Sequence, residues 1–197
     1  RRKFDDLYGE TAADRYRIWY TDRALHGANE DEHNPTRVVS YTPVLEQALR
    51  DVAAWVENGV EPPSNTSYDI VDGQLVLPAT AAERAGIQPV ITIKANGAEV
   101  AMADPGEEVE IVAGVSVPPG TGQIVWAGWD FSGYGRFVDI EEASEHPAEQ
   151  GQFSTKVSFD QPGTYFVTLK VMSQRQGDVA SPYARVANLA RVRIVIQ

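Results

Sequence analysis

Cysteine is absent from all 197 residues, which excludes a disulfide framework and any thiolate metal site. Histidine is scarce: His26, His33 and His146 are the only three, and no H-E-x-x-H pair exists. Basic residues are in the minority, with 17 Lys and Arg against 28 Asp and Glu, so the chain carries a net charge of −11. That balance argues against nucleic acid, whose phosphates need clustered Lys and Arg, and against an anionic membrane surface. No stretch approaches the roughly twenty consecutive apolar residues that span a bilayer, so no membrane insertion is expected. A phosphate-cradling loop is missing as well, because Gly120-Thr121-Gly122 lacks the following Lys and helix start. No cofactor is expected.

A hydrophobic fraction of 43% with 9% aromatic residues is enough for a packed core. The chain opens Arg1-Arg2-Lys3-Phe4-Asp5-Asp6 without an initiator Met. A twin-arginine signal needs an apolar stretch next, and Asp5, Asp6, Glu10 and Asp14 follow instead, so this end reads as an internal cut. Tyr16 to Tyr20 is aromatic and β-prone and predicts a short strand. After a polar loop over 27–36, Val38 to Tyr41 reads as extended. Thr42-Pro43 is a helix start, with Thr as cap and Pro at the first helical position. Leu45, Ala48, Leu49, Val52, Trp55 and Val56 then recur at three- and four-residue spacing, one apolar stripe on a helix over 43–58. Asn58-Gly59 supplies its left-handed stop and Pro62-Pro63 prevents continuation.

Residues 61–87 form a linker with a small hairpin, 68–71 against 74–77, around Asp72-Gly73, and a helical turn near 80–86. From Gln88 the period changes from 3.6 to 2. Strands are predicted around Val90–Ile93, Val109–Val117, Ile124–Phe131, Phe153–Phe159, Thr164–Val171 and Val192–Ile196, separated by Gly- and Pro-containing turns. Six to eight such strands predict a β-sandwich. The fold class is therefore mainly β, an immunoglobulin-like sandwich over 88–197, preceded by a strand, loop and helix over 1–60.

Two resemblances accompany this reading. Trp129-Asp130-Phe131 before a Gly-containing turn, with Pro162-Gly163-Thr164-Tyr165-Phe166-Val167-Thr168-Leu169-Lys170-Val171 later, resembles a PKD-type domain. Here the turn is Ser132-Gly133-Tyr134-Gly135 rather than the family's G-D-G. The resemblance implies a non-catalytic appendage of an extracellular or periplasmic protein. The strand-like run ending in Ala24-Leu25-His26-Gly27, followed by a helix closing on Trp55-Val56-Glu57-Asn58-Gly59 and Pro62-Pro63, is similar to the last part of a tannase or feruloyl-esterase-like α/β-hydrolase. There His26 would be the general base of a serine esterase triad, in the intact parent protein only. The residues before it, Thr21-Asp22-Arg23-Ala24-Leu25, depart from the family's small, Gly-rich run. No G-x-S-x-G elbow supplies a nucleophile, so the chain alone is expected to be inactive.

The combined expectation is the C-terminal region of a secreted bacterial hydrolase, with an upstream catalytic domain as partner and the sandwich as an accessory or structural domain. The alternative is a carbohydrate- or cell-surface-binding module presenting Trp129, Tyr134 and Phe137 on one patch. Strand alternation sets Trp126 and Trp129 on opposite faces, so one of the two is expected in the core. The acidic clusters Glu30–His33 and Glu141–Glu149 read as solvated loops, and no metal site is predicted. The apolar stripe on 43–58 cannot bury itself, and is expected to dock on the sandwich or on a second copy in a homodimer.

Overall fold

Alternation of apolar and polar residues builds two facing sheets. A computed structural model describes residues 2–9, 15–24 and 33–197. In chain order the elements are α1 (Arg2–Tyr8), α2 (Thr42–Asn58), β1 (Asp69–Val71), β2 (Gln74–Val76), α3 (Ala81–Arg84), β3 (Val90–Ala95), β4 (Val100–Ala103), β5 (Val109–Ser116), β6 (Gln123–Asp130), β7 (Val138–Asp139), α4 (Glu141–Glu145), β8 (Gln150–Val157), β9 (Gly163–Gln174) and β10 (Val186–Ile196). One sheet runs β4-β10-β9-β6-β7, the other β3-β5-β8, and β1-β2 is a separate hairpin. Every pairing is antiparallel except β4 with β10. Val109, Ile111 and Ala113 of β5 meet Val167, Leu169 and Val171 of β9 and Val192 and Ile194 of β10, all completely buried or nearly so. This is the β-sandwich that the period-two pattern requires.

The Asn96-Gly97 turn is tight, with Asn96 at φ 48° and Gly97 at φ 77° and paired bonds between Ala95 and Ala98 of 2.8 and 2.9 Å. The strand that follows then leaves its neighbour: β4 pairs with β10 in the opposite sheet rather than with β3. The turn therefore carries the chain from one sheet to the other.

Two local expectations are corrected. Tyr16–Tyr20 enters no strand. It runs beside residues 62–68 and is held mostly by side chains: Ile18 N–H donates to Asn65 Oδ1 (2.7 Å) and Tyr20 N–H to Thr66 Oγ1 (3.1 Å), with one backbone bond, Thr66 N–H to Ile18 O (2.9 Å). Thr42 does not cap α2. The cap position is Tyr41 with no side-chain bond, and Thr42 N–H donates to Ser40 Oγ instead (3.2 Å). The other end of α2 stops as expected on Gly59, φ 68°, whose N–H returns to Trp55 O.

The end of β6 is closed by one side chain. Asp130 is fully buried, and its carboxylate accepts hydrogen bonds from Ser132 N–H (2.6 Å), Ser132 Oγ (2.9 Å), Gly133 N–H (2.8 Å), Gly135 N–H and Arg136 N–H (3.0 Å). It is the internal anion around which residues 132–136 are wound. Asp130→Ala is expected to destabilise the fold by about 3 kcal/mol, because it removes the buried carboxylate and all five hydrogen bonds that hold the 132–136 loop. A shift in the urea unfolding midpoint measures this.

Candidate functional site

Helix α2 sits on the sandwich with its polar side down. Only Val44, Gln47 and Asp51 of α2 are buried. The Asp51 carboxylate meets the Arg175 guanidinium, just past the end of β9, at 2.9 Å, with side chains 11% and 19% exposed. Gln47 Nε2 donates to the other Asp51 oxygen (2.8 Å), and Arg175 Nε donates to Thr121 O (3.0 Å), tying in the β5–β6 loop. Glu46 accepts from Ala184 N–H (2.6 Å). The apolar anchor is one residue, Val44, packed with Ile87 and Val186 and flanked by Trp19.

The stripe predicted to be buried is therefore turned away from the sandwich. Leu45, Leu49, Val52 and Val56 are 53%, 73%, 53% and 81% exposed. This overturns docking of the stripe on the sheets, and the reason is geometric. The Asp51–Arg175 pair fixes the rotation of α2, and the stripe lies well over 90° round the helix from Asp51. The flank between the two faces is covered: Ala48 and Trp55 are half-buried, and the Arg17 guanidinium lies 4.8 Å over the Trp55 ring. Between α2 and residues 15–19 runs an apolar groove of about 330 Å³, lined by Tyr16, Trp19, Leu45, Val52 and Trp55 among others. Groove and stripe adjoin, making one apolar face. The β1–β2 hairpin separately presents Ile70, Val71, Leu75 and Val76, all 46–70% exposed.

The residues singled out from sequence are dispersed. His26 lies outside the described residues. Trp129 is 5% exposed and belongs to the main core, stacked on Phe131 with centroids 6.4 Å apart. Trp126 points outward, with Nε1 donating to Asp139 (3.1 Å). Phe137 meets Trp126 edge-on at 6.1 Å, half-buried, and a Cβ on Gly128 would come within 2.8 Å of the Trp126 ring and 3.2 Å of Phe137, so both side chains lie over that glycine. Tyr134 is 81% exposed on the loop wound about Asp130. Trp129, Tyr134 and Phe137 thus do not share a surface patch, because Trp129 faces the other sheet. The Asp51–Arg175 pair escaped sequence reasoning: its partners are 124 positions apart, and Asp51 looks like any solvated helix residue. Among the described residues no group of three or more His, Asp or Glu could hold a metal ion.

The β region can be placed among known proteins. Residues 92–181 match the PKD domain family. That span covers just under half of the chain, from within β3 to the loop before β10, and leaves α2 outside. Two solved structures of a CARDB domain from Pyrococcus furiosus are similar at TM-score 0.36. The solution NMR structure is 14% identical and covers 55% of this chain and 95% of that one. The crystal structure, of a complex with di-metal ions, is 15% identical and covers 56% and 89%. No curated protein matches the chain in sequence.

The inverted helix makes a prediction opposite to that of its hydrophobic pattern. Leu49→Glu is expected to change unfolding free energy by less than about 0.5 kcal/mol. Arg175→Ala is expected to cost about 3 kcal/mol, because Asp51 and Gln47 are left facing a buried gap. Urea denaturation of the two variants separates the outcomes.

Proposed function

We propose that the chain is a non-catalytic accessory region of a secreted or periplasmic hydrolase-like protein. Its PKD-like sandwich is a scaffold, and the outward face of α2 docks on a catalytic domain carried by the same polypeptide. The observation behind this reading is the four-residue apolar stripe held away from the sandwich by a buried ion pair. Contiguous apolar surface of this kind marks an interaction site.

Effective concentration favours a tethered domain over a second copy, because a stable free complex covers roughly 800 Å² per partner. A neighbour on the same polypeptide is held at high effective concentration and needs less. The hydrolase assignment and the role of His26 rest on the sequence resemblance over residues 16–63 alone. The PKD match supports an exported location, since such domains are typically extracellular, and among the described residues no helix is long and apolar enough to cross a membrane. A sugar platform of Trp129, Tyr134 and Phe137 has less support, because Trp129 is in the core.

The test is aryl-ester hydrolysis and thermal unfolding of the parent polypeptide and of this chain, each with and without Leu49→Glu plus Val52→Glu. The expected result is activity in the parent alone, abolished by His26→Ala, with the paired substitutions lowering the melting temperature of the parent and not of the isolated chain. A dimer of the isolated chain that the same pair dissolves would assign the stripe to a second copy. No effect on either form would refute docking.

A further inference from the structure

The outward face of the five-stranded sheet gathers positive charge on a strongly acidic chain. Along β10, Val192 and Ile194 fill the core, so Arg191 and Arg193 point away from it. Val39 packs on Leu189, Ala187 and Met172, which lays residues 37–39 over that same outward face. Val39 N–H donates to Arg23 O (3.0 Å), and Ala24 bridges Val39. Three separate segments thus bring Arg23, Arg37 and Arg191 to one place. Arg191 is half-buried, its guanidinium 5.1 Å over the Phe166 ring, while Arg23 and Arg37 are exposed. Burial first, then the charges of Arg37 and Arg23, lower the Arg191 guanidinium from its ordinary pKa. Among the described residues none of the three has a carboxylate partner. Arg23 also holds φ 58°, a left-handed backbone uncommon for a residue with a side chain. Like charges assembled with no counter-charge among the described residues cost free energy that a bound anion recovers.

We propose that Arg23, Arg37 and Arg191 form a binding site for the carboxylate or sulfate groups of an acidic polysaccharide. The planar guanidinium fork matches both oxyanions with paired hydrogen bonds. Phe166, 40% exposed beside Arg191, supplies an aromatic face for a sugar ring. Nucleic acid and anionic membranes present dense, extended charge to the whole −11 surface and are repelled. A flexible glycan with one charge per sugar can engage the patch alone. The site shares no residue with the α2 stripe, so it stands or falls independently of the docking reading.

The experiment is calorimetric titration of the full chain with ι-carrageenan oligosaccharide, which carries sulfate and no carboxylate, as the sulfate arm, oligogalacturonate as the carboxylate arm and neutral dextran as control, at low and physiological ionic strength. Expected is binding to one or both acidic oligosaccharides, weakened by salt, and none to dextran; the arm that binds identifies the oxyanion. Arg23→Asn with Arg37→Gln changes only exposed side chains and should leave thermal unfolding unchanged while weakening binding about tenfold or more. Arg191→Lys, which keeps charge and loses the fork, should weaken it less than Arg191→Gln. The proposal is overturned if neither acidic oligosaccharide binds, or if binding survives Arg23→Asn with Arg37→Gln undiminished. It is also overturned if binding appears only after Glu30→Gln, Asp31→Asn and Glu32→Gln, because the arginines would then serve the chain's own carboxylates.

Discussion

The Asp51–Arg175 ion pair determines how the N-terminal part of the chain meets the sandwich. It joins the middle of α2 to the end of β9, and through Arg175 Nε to the β5–β6 loop. Both charges are largely withdrawn from water, so the pair tolerates little rotation: a turn of the helix leaves one or both buried and unpaired. With the rotation set, Val44 is the apolar residue left to face the sheets, and Leu45, Leu49, Val52 and Val56 face out. Burying what each still exposes would be worth about 1–2 kcal/mol. That the chain forgoes this gain within its own fold is the physical reason to look for a partner on that side.

The sandwich is the rigid body against which this happens. Its core is carried by β5, β9 and β10, whose inward residues are almost completely buried, and its loops are braced by internal polar contacts rather than cross-links. Asp130 winds the loop after β6 around its carboxylate. Gln88 ties residue 22 to β10 by donating to Asp22 O and Ala187 O and accepting from Asp22 N–H. With no cysteine available, such buried polar side chains do the bracing. Gln88 thereby sets residue 22 beside β10, and Val39 packs on the outward face of the same strand, where the arginines converge.

Much of the fold was legible because the signals were local. The extent of α2 followed from 3.6-residue spacing and the Asn58-Gly59 stop, the small hairpin from Asp72-Gly73, and the sandwich from period-two alternation. What was not legible depends on long-range partners. The apolar stripe of α2 correctly announced a helix and wrongly announced its buried face, because periodicity carries no information about a charge 124 positions away. The passage of β4 into the second sheet was hidden, since a hairpin turn is normally followed by a hairpin. Trp126 and Trp129 were correctly set on opposite faces by alternation, yet which one enters the core depends on which face meets the other sheet. The aromatic patch proposed for binding failed on that point.

The absence of cysteine allows a direct test of the central claim, that α2 lies polar side down with its apolar stripe outward. Single substitutions Leu49→Cys and Gln47→Cys place a thiol on the two opposed faces, and the rate of thiol labelling under native conditions reads their accessibility. The account predicts labelling at position 49 near the rate of a free thiol and strong protection at position 47, with both rates converging in denaturant. Faster labelling at position 47 than at 49 would contradict it, and with it the docking role assigned to the stripe.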